Sequence, residues 1–161
     1  VPGKTNEQPR RSSATYVAIE GVVLDSVVTA MYLIDTDIII YSFKGNSVVA
    51  DNLRRHRTEP IMISVVTYGE MVYGARKSTQ IERNLATAHR VAEIYPMLPV
   101  TQSVIETFAG LKADLEIAGI PLDDMDLLIG ATALSHNLTL VTNNEKHFSR
   151  IPGLSVANWA T

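Results

Sequence analysis

A chain of 161 residues is long enough for one domain with a sizeable core and too short for two ordinary ones. Its net charge of −3 argues against nucleic-acid binding by overall charge alone. The absence of cysteine excludes disulfides, thiolate catalysis and cysteine-ligated zinc, so any metal must be held by oxygen or imidazole. No stretch reaches the roughly 20 apolar residues of a transmembrane helix, and we expect a cytoplasmic protein without membrane contact.

The first 30 residues differ in character from the rest of the chain. Residues 1–13 are polar, contain two prolines and offer little to bury, which predicts disorder. The chain begins with Val1, and Met31 directly precedes the first strongly apolar run. We therefore predict that residues 1–30 are an N-terminal extension or a start-site artefact and that the domain comprises residues 31–161.

Strands and helices alternate along that domain. The apolar run after Met31 predicts a buried strand that ends at Asp35, followed by a short helix that Asp37 caps and Gly45 ends. Further strands are predicted at residues 61–64, 95–100, 138–142 and 154–156, and helices at 47–57, 64–74, 80–92, 101–119, 124–134 and, as a short turn or helix, 143–148. This alternation is typical of an α/β fold built on a parallel sheet.

Three acids lie where an apolar element meets a strand end or a helix start, namely Asp35, Glu70 and Asp126. Each has an ordinary explanation alone. Asp35 could cap a helix, although Asp37 is the stronger candidate, Glu70 could be solvated, and Asp126 suits a helix dipole. Carboxylates that converge in one cleft would raise one another's pKa unless a cation offsets their charge, and Mg²⁺ and Mn²⁺ prefer such oxygen ligands. A convergent site would therefore indicate phosphodiester chemistry.

Four segments carry a family resemblance. Leu33–Asp37, Ile63–Gly74, Asp126–Ala131 and Leu140–Leu154 resemble, in this order, the motifs of PIN-domain proteins, specifically the VapC toxins of bacterial toxin–antitoxin pairs. Any one of these motifs is weak, whereas four in the same order and spacing make a specific signal. The resemblance extends from Met31 to the end of the sequence.

The resemblance implies a PIN-like fold, with a central, mostly parallel sheet flanked by helices. It also implies that Asp35, Glu70 and Asp126 are catalytic, metal-binding acids and that the hydroxyl of Thr36 supports the first of them. The expected ion is Mg²⁺, with Mn²⁺ as a substitute, and the expected reaction is hydrolysis of RNA by a metal-activated water. A cognate VapB-like antitoxin and a homodimer follow from the resemblance alone. Asn144 stands where many members carry a further acid, which leaves the occupancy of a second metal site open.

Other charged residues are assigned by their surroundings. Asp123 and Asp124 precede the Asp126 motif and could enlarge the negative pocket, although both are better interpreted as solvated turn residues. An acidic pocket needs cations at its rim to hold RNA. The candidates, each of which could equally serve solubility, are Lys44, Arg54, Arg55, Arg57, Arg76 and Lys77. The four histidines are His56, His89, His136 and His147. None of them has ligand spacing with an acid, so none is assigned to the metal.

Two alternatives compete with the nuclease prediction. A strand that ends in Asp-x-Asp resembles the nucleophile motif of haloacid-dehalogenase-like phosphatases, in which the first Asp becomes phosphorylated. Ile39 is unusual for that motif, and no lysine lies in a convincing phosphate-binding motif. The second alternative is a non-catalytic PIN-like module that binds nucleic acid or a partner, and Asn144 lends it some weight.

Overall fold

The structure, a computed structural model, describes the backbone of residues 17–19 and 22–24 and the whole of residues 29–161. The predicted disorder of residues 1–13 falls outside the described residues. Two short strands, β1 (Val17–Ile19) and β2 (Val22–Leu24), pair antiparallel in a sheet of their own, which was not predicted. In the described part of the chain, no helix combines the length and apolar character needed to cross a bilayer.

A second sheet of five strands forms the centre of the domain. Its strands are β3 (Tyr32–Ile34), β4 (Ile61–Ser64), β5 (Met97–Leu98), β6 (Thr139–Val141) and β7 (Val156–Ala157). They lie in the order β5-β4-β3-β6-β7, and all four strand pairs are parallel. The predicted α/β fold with a central parallel sheet is confirmed. Because β3 lies in the middle, its carboxyl end adjoins those of β4 and β6.

In the part of the chain that the structure describes, seven helices connect and cover these strands. They are α1 (Thr36–Phe43), α2 (Ser47–Arg55), α3 (Val65–Lys77), α4 (Ile81–Ile94), α5 (Gln102–Ile117), α6 (Asp124–Ser135) and α7 (Glu145–Phe148). Side-chain caps fix several of their starts, as where the Ser64 hydroxyl accepts a hydrogen bond from the Thr67 amide at 2.9 Å. Gly45 follows α1 with a φ of +80°, a conformation that favours glycine.

Successive strand residues pack on opposite faces of the sheet. Leu33 and Leu140 contribute to an apolar cluster with α5 and α6. Ile34 and Val141 contribute to a second cluster with α1, α2 and α4. In a parallel sheet that is buried on both faces, each strand has a continuously apolar sequence, which explains the composition of β3 and β6. The sheet is therefore the middle of three layers.

Two further contacts tie the C-terminal segment to the domain. Trp159 is 5% exposed, stacks on the His56 ring at 4.5 Å between centroids and meets Tyr32 edge-on at 4.9 Å. This cluster lies at the amino end of β3. In α6, a Cβ atom on Gly130 would lie 2.5 Å from Cδ1 of Ile151, so any larger residue would force the buried Ile151 side chain to shift.

Candidate active site

Asp35 lies where β3 ends and α1 begins. Its backbone amide donates to the Val141 carbonyl at 2.9 Å, which continues the pairing with β6. One carboxylate oxygen accepts from the Thr36 amide at 2.7 Å and thereby caps α1, and the other accepts from the Thr142 hydroxyl at 2.8 Å. Only 7% of the residue is exposed. The Asp35 carboxylate is thus held between the start of α1 and the residue that follows β6, at the carboxyl edge of the sheet.

The prediction that Asp37 caps α1 is wrong. The helix starts one residue after Asp35, which therefore takes the capping position, and Asp37 falls within the first turn. Its Oδ2 accepts from the Asn143 amide at 2.9 Å, across the loop that follows β6. Its Oδ1 is buried and has no hydrogen-bond partner. Asp37 is therefore a fourth acid of the site, which the sequence analysis assigned to a structural role.

Glu70 reaches the same pocket from α3. Its Oε2 accepts a hydrogen bond of 2.5 Å from the Thr36 hydroxyl. The expected support of Asp35 by the Thr36 hydroxyl is thus corrected, because Thr36 binds Asp35 through its amide and Glu70 through its side chain. Thr36 thus connects Asp35, which follows β3, with Glu70 of α3.

Asp126 lies in the first turn of α6 and faces the loop and short helix after β6. Its Oδ2 is 3.3 Å from Nδ1 of His147, which is itself 2.9 Å from Nδ2 of Asn144. His147 was not assigned to the site, because 21 residues separate it from Asp126 and no sequence spacing indicates the contact. The fold brings the two together by placing α7 beside the start of α6.

Asp123 and Asp124 are exposed, as predicted, and each has a local partner. The Asp123 carboxylate caps α6 by accepting from the Met125 amide at 2.9 Å. Asp124 forms an ion pair of 2.6 Å with Lys112. The charge of Asp123 still contributes to raising the pKa of Glu70, so it adds to the negative field of the pocket.

The pocket carries uncompensated negative charge. Burial, and next to it the charge of Asp37, raises the pKa of Asp35 to about 7, although hydrogen bonds from Thr142 and Thr36 oppose this. Burial also raises the pKa values of Glu70 and Asp37, and the charge of Asp126 adds to both effects. Among the described residues, no lysine or arginine forms an ion pair with any of these four acids.

The donor set fits a hard divalent cation. Carboxylate oxygens are the ligands that Mg²⁺ and Mn²⁺ prefer, and Oδ1 of Asp37 is a buried acceptor without a partner. Within the described part of the chain, no three acidic or histidine side chains stand at the mutual spacing of ligands to one ion. The arrangement therefore suits an ion held by one or two carboxylates, with waters completing its shell, as is usual for Mg²⁺.

A sequence model of the PIN domain matches residues 32–154, which include all four acids. The chain belongs to the PIN-domain family. It is 33% identical over 129 residues to the tRNA(fMet)-specific endonuclease VapC of Salmonella typhimurium strain LT2, an alignment that covers 80% of this chain and 97% of that relative. It is 32% identical over 131 residues to ribonuclease VapC2 of Rickettsia felis, covering 80% and 98%. The predicted resemblance to VapC proteins is confirmed.

The structural comparison agrees with this assignment. The crystal structure of VapBC2 from Rickettsia felis, bound to a DNA fragment from its promoter, superposes on the PIN domain with a TM-score of 0.75 and 31% identity, covering 80% of this chain and 98% of that one. The family match includes the whole Asp35-Thr36-Asp37 stretch. The phosphatase alternative, which depended on that stretch, is left without support.

A groove of about 470 Å³ extends from the acidic site of the PIN domain along α1, α3 and α4. Thr36 and Glu70 lie on its wall, together with the cations Lys44 and Arg83. Of the six predicted rim cations, Lys44 alone lines this groove. Arg83 was not predicted, because nothing in the polar sequence around it distinguishes it from a solvated helix residue. Arg54 instead pairs with Asp51, and Lys77 lies 5.1 Å from the centre of the Tyr73 ring.

Proposed function

We propose that this PIN domain is a divalent-metal-dependent endoribonuclease toxin, active in the cytoplasm and neutralised by a cognate VapB-like antitoxin. The observation that carries the proposal is the set of four partly or fully buried acids without a lysine or arginine partner among the described residues. Burying such charge is costly unless a cation offsets it. The names of the VapC relatives support RNA as the substrate.

The acids proposed to form the Mg²⁺ or Mn²⁺ site are Asp35, Glu70 and Asp126, of which one or two would bind the ion directly and the rest through its waters. When bound, the ion supplies Lewis-acid activation of the phosphate and lowers the pKa of a bound water. The chain's own hydrogen bonds orient the carboxylates. Thr142 and the Thr36 amide fix the two oxygens of Asp35, and the Thr36 hydroxyl fixes Glu70. The free Oδ1 of Asp37 is an acceptor that can hold and orient a water molecule inside the pocket.

The RNA backbone is proposed to follow the groove beside α1 and α4. Lys44 and Arg83 lie along it, and both are placed to offset the repulsion between phosphates and the acidic site. The apolar part of the same wall, with Ile40 and Phe43, offers surface for a base or for a partner. A VapB-like antitoxin is supported by membership in the VapC group and by the VapBC2 neighbour. The homodimer stays a prediction.

The test combines growth, RNA mapping and cleavage by purified protein. Wild type, Asp35→Asn, Asp126→Asn and the control Asp114→Asn, an exposed acid on α5, are each expressed, and total RNA is mapped for new 5′ ends. We expect wild type and Asp114→Asn to arrest growth and cut RNA with Mg²⁺ or Mn²⁺ but not with EDTA. Neither site variant should cut, although both should fold as judged by circular dichroism.

Two results would contradict the proposal. Undiminished cleavage by Asp35→Asn or Asp126→Asn would remove those acids from the site. Metal binding by the wild type without growth arrest or any new RNA end would favour the non-catalytic PIN-like module.

A further inference from the structure

The groove beside the acidic site exposes an aromatic ring. Thr36, Ile40 and Phe43 line it from one face of α1, at four- and three-residue spacing. Phe43 is 52% exposed, although it is a large apolar side chain. By the rise of an α-helix it lies about 10 Å from Thr36, which binds the site acid Glu70. The groove therefore offers a flat apolar surface a short distance from the acids.

The wall formed by α4 presents a hydrogen-bond acceptor whose orientation is fixed. The Ser78 hydroxyl donates its single proton to the Ala75 carbonyl at 2.7 Å, so its oxygen acts as an acceptor towards other groups. The side-chain nitrogen of Asn84 donates to that oxygen at 2.9 Å. This contact determines which way the Asn84 amide points. Its Oδ1 atom is not buried and has no partner among the described residues, so it is available to a ligand in the groove that Asn84 lines.

A second acceptor lies beside the first on the same wall. Thr87 also lines the groove, and it follows Asn84 by three residues, which places the two side chains next to each other on α4. The Thr87 hydroxyl donates to the Arg83 carbonyl at 3.2 Å, which leaves its oxygen lone pairs for a ligand. This part of the groove therefore presents two neighbouring acceptors.

We propose that the groove binds one unstacked guanine base of the RNA, beside the scissile phosphate, with its ring on Phe43 and its Watson–Crick edge against Asn84 and Thr87. The inference rests on the proposed ribonuclease function and specifies its substrate. Single-stranded RNA is recognised by stacking of splayed-out bases on aromatic rings and by hydrogen bonds to the base edges. Guanine is the base whose Watson–Crick edge carries two adjacent donors, N1–H and the N2 amino group. Lys44 and Arg83 line the same groove and are placed to bind neighbouring phosphates.

The bases that flank the cut sites give the first measurement. New 5′ ends are mapped in cells that express the full-length wild type, and we expect guanine to be enriched at one position beside the cut. A synthetic single-stranded RNA that spans the most frequent site is then cleaved by purified protein with Mg²⁺ or Mn²⁺. Inosine in place of that guanosine removes the N2 amino group and should lower kcat/KM about 2- to 10-fold, the effect of one lost hydrogen bond. Adenosine, which lacks both donors, should lower it further.

Two variants connect this preference with the groove. Asn84→Ala removes the fixed acceptor and should lower the ratio of kcat/KM for the guanosine substrate to that for the adenosine substrate. A merely structural role of Asn84 would slow both substrates equally and leave the ratio unchanged. The control His89→Ala, at an exposed position of α4 outside the groove, should keep the wild-type ratio.

The second variant fills the groove without removing a contact of the fold. A Cβ atom on Gly74, which lines the groove from α3, would meet no atom within 4 Å, so Gly74→Leu should fold normally. The added side chain should lower kcat/KM for the guanosine substrate about 10-fold or more. Gly110→Leu is the matched control, since Gly110 is an exposed glycine of α5 with equally open surroundings, and it should leave kcat/KM unchanged.

Three results would overturn this inference and leave the proposed function intact. They are cleavage without a preferred guanine beside the cut, a guanosine preference that survives Asn84→Ala, and full activity of Gly74→Leu. Each of them would assign the groove to another occupant, such as a segment of the antitoxin. A wild type that cuts no RNA would overturn both the inference and the proposed function.

Discussion

Replacing Asp35 by asparagine should make the metal-free protein more stable at neutral pH while abolishing its activity. The amide can preserve the local contacts. Its oxygen can accept from the Thr36 amide, and asparagine is as good a helix cap as aspartate. Its nitrogen can donate to the Thr142 hydroxyl, whose own proton can turn to Oδ2 of Asp37, 3.5 Å away.

The size and sign of the effect follow from the raised pKa of Asp35. This carboxyl has a pKa of about 7 in the folded protein against 3.8 without the protein environment. Between these two values the folded state holds a proton that the unfolded state releases, so the stability of the wild type falls as pH rises from about 4 to 7. The full difference is worth about 4 kcal/mol, an upper figure because neighbouring groups relax. Asparagine cannot ionise and escapes this loss.

Urea denaturation in EDTA at pH 4 and pH 8 measures the difference. Asp35→Asn should exceed the wild type by about 1 to 4 kcal/mol at pH 8 and show almost no gain at pH 4. Added Mn²⁺ should stabilise the wild type and leave the variant nearly unchanged. A variant that is less stable than the wild type at pH 8 without metal would refute the view that Asp35 is an unfavourable buried charge.

Three further predictions concern packing and substrate binding. Trp159→Ala removes a buried aromatic ring and should lower the free energy of unfolding, measured by urea denaturation, by about 3 to 5 kcal/mol. A change below about 1 kcal/mol would contradict the view that Trp159 anchors the C-terminal segment. Gly130→Ala should cost about 1 to 3 kcal/mol, and adding Ile151→Val, which deletes the clashing Cδ1, should recover part of it in the same assay. Arg83→Ala should weaken RNA binding and reduce its salt dependence by about one phosphate contact. Fluorescence anisotropy measures both quantities, with Ca²⁺ present to suppress cleavage. The control Arg90→Ala, on the same helix, should bind RNA as the wild type does.

The order of strands and helices could be predicted because both faces of the central sheet are buried. That burial makes each strand a short apolar run, and the helices between them carry clear start and stop residues. The exception is the β1–β2 pair. Its apolar triplets flank Glu20-Gly21, a turn-like dipeptide that could have suggested two strands, but the position of Met31 directly before the first strongly apolar run favoured an extension.

Only part of the candidate site could be predicted from the sequence. Asp35 and Asp126 stand at element boundaries and Glu70 lies about one turn inside α3, and it was the family resemblance that identified the three together as site acids. Asp37 and His147 owe their place to distant partners, the Asn143 amide and the Asp126 carboxylate. Local rules assign an Asp beside a helix start to a cap, and they contain no information about which loop packs beside it. Tertiary contacts decided both cases.

The link between Asp35 and Thr142 joins residues that are 107 positions apart. During synthesis, β3 and α1 emerge long before β6, at a typical rate of about 5 to 20 residues per second, so roughly 5 to 20 seconds separate the two halves of the pocket. Until β6 is released, Asp35 and Asp37 lack their partners on the neighbouring strand. The pocket proposed to cut RNA is therefore incomplete on a nascent chain until β6 is released, and a prematurely terminated fragment that stops before Thr139 lacks the same contacts.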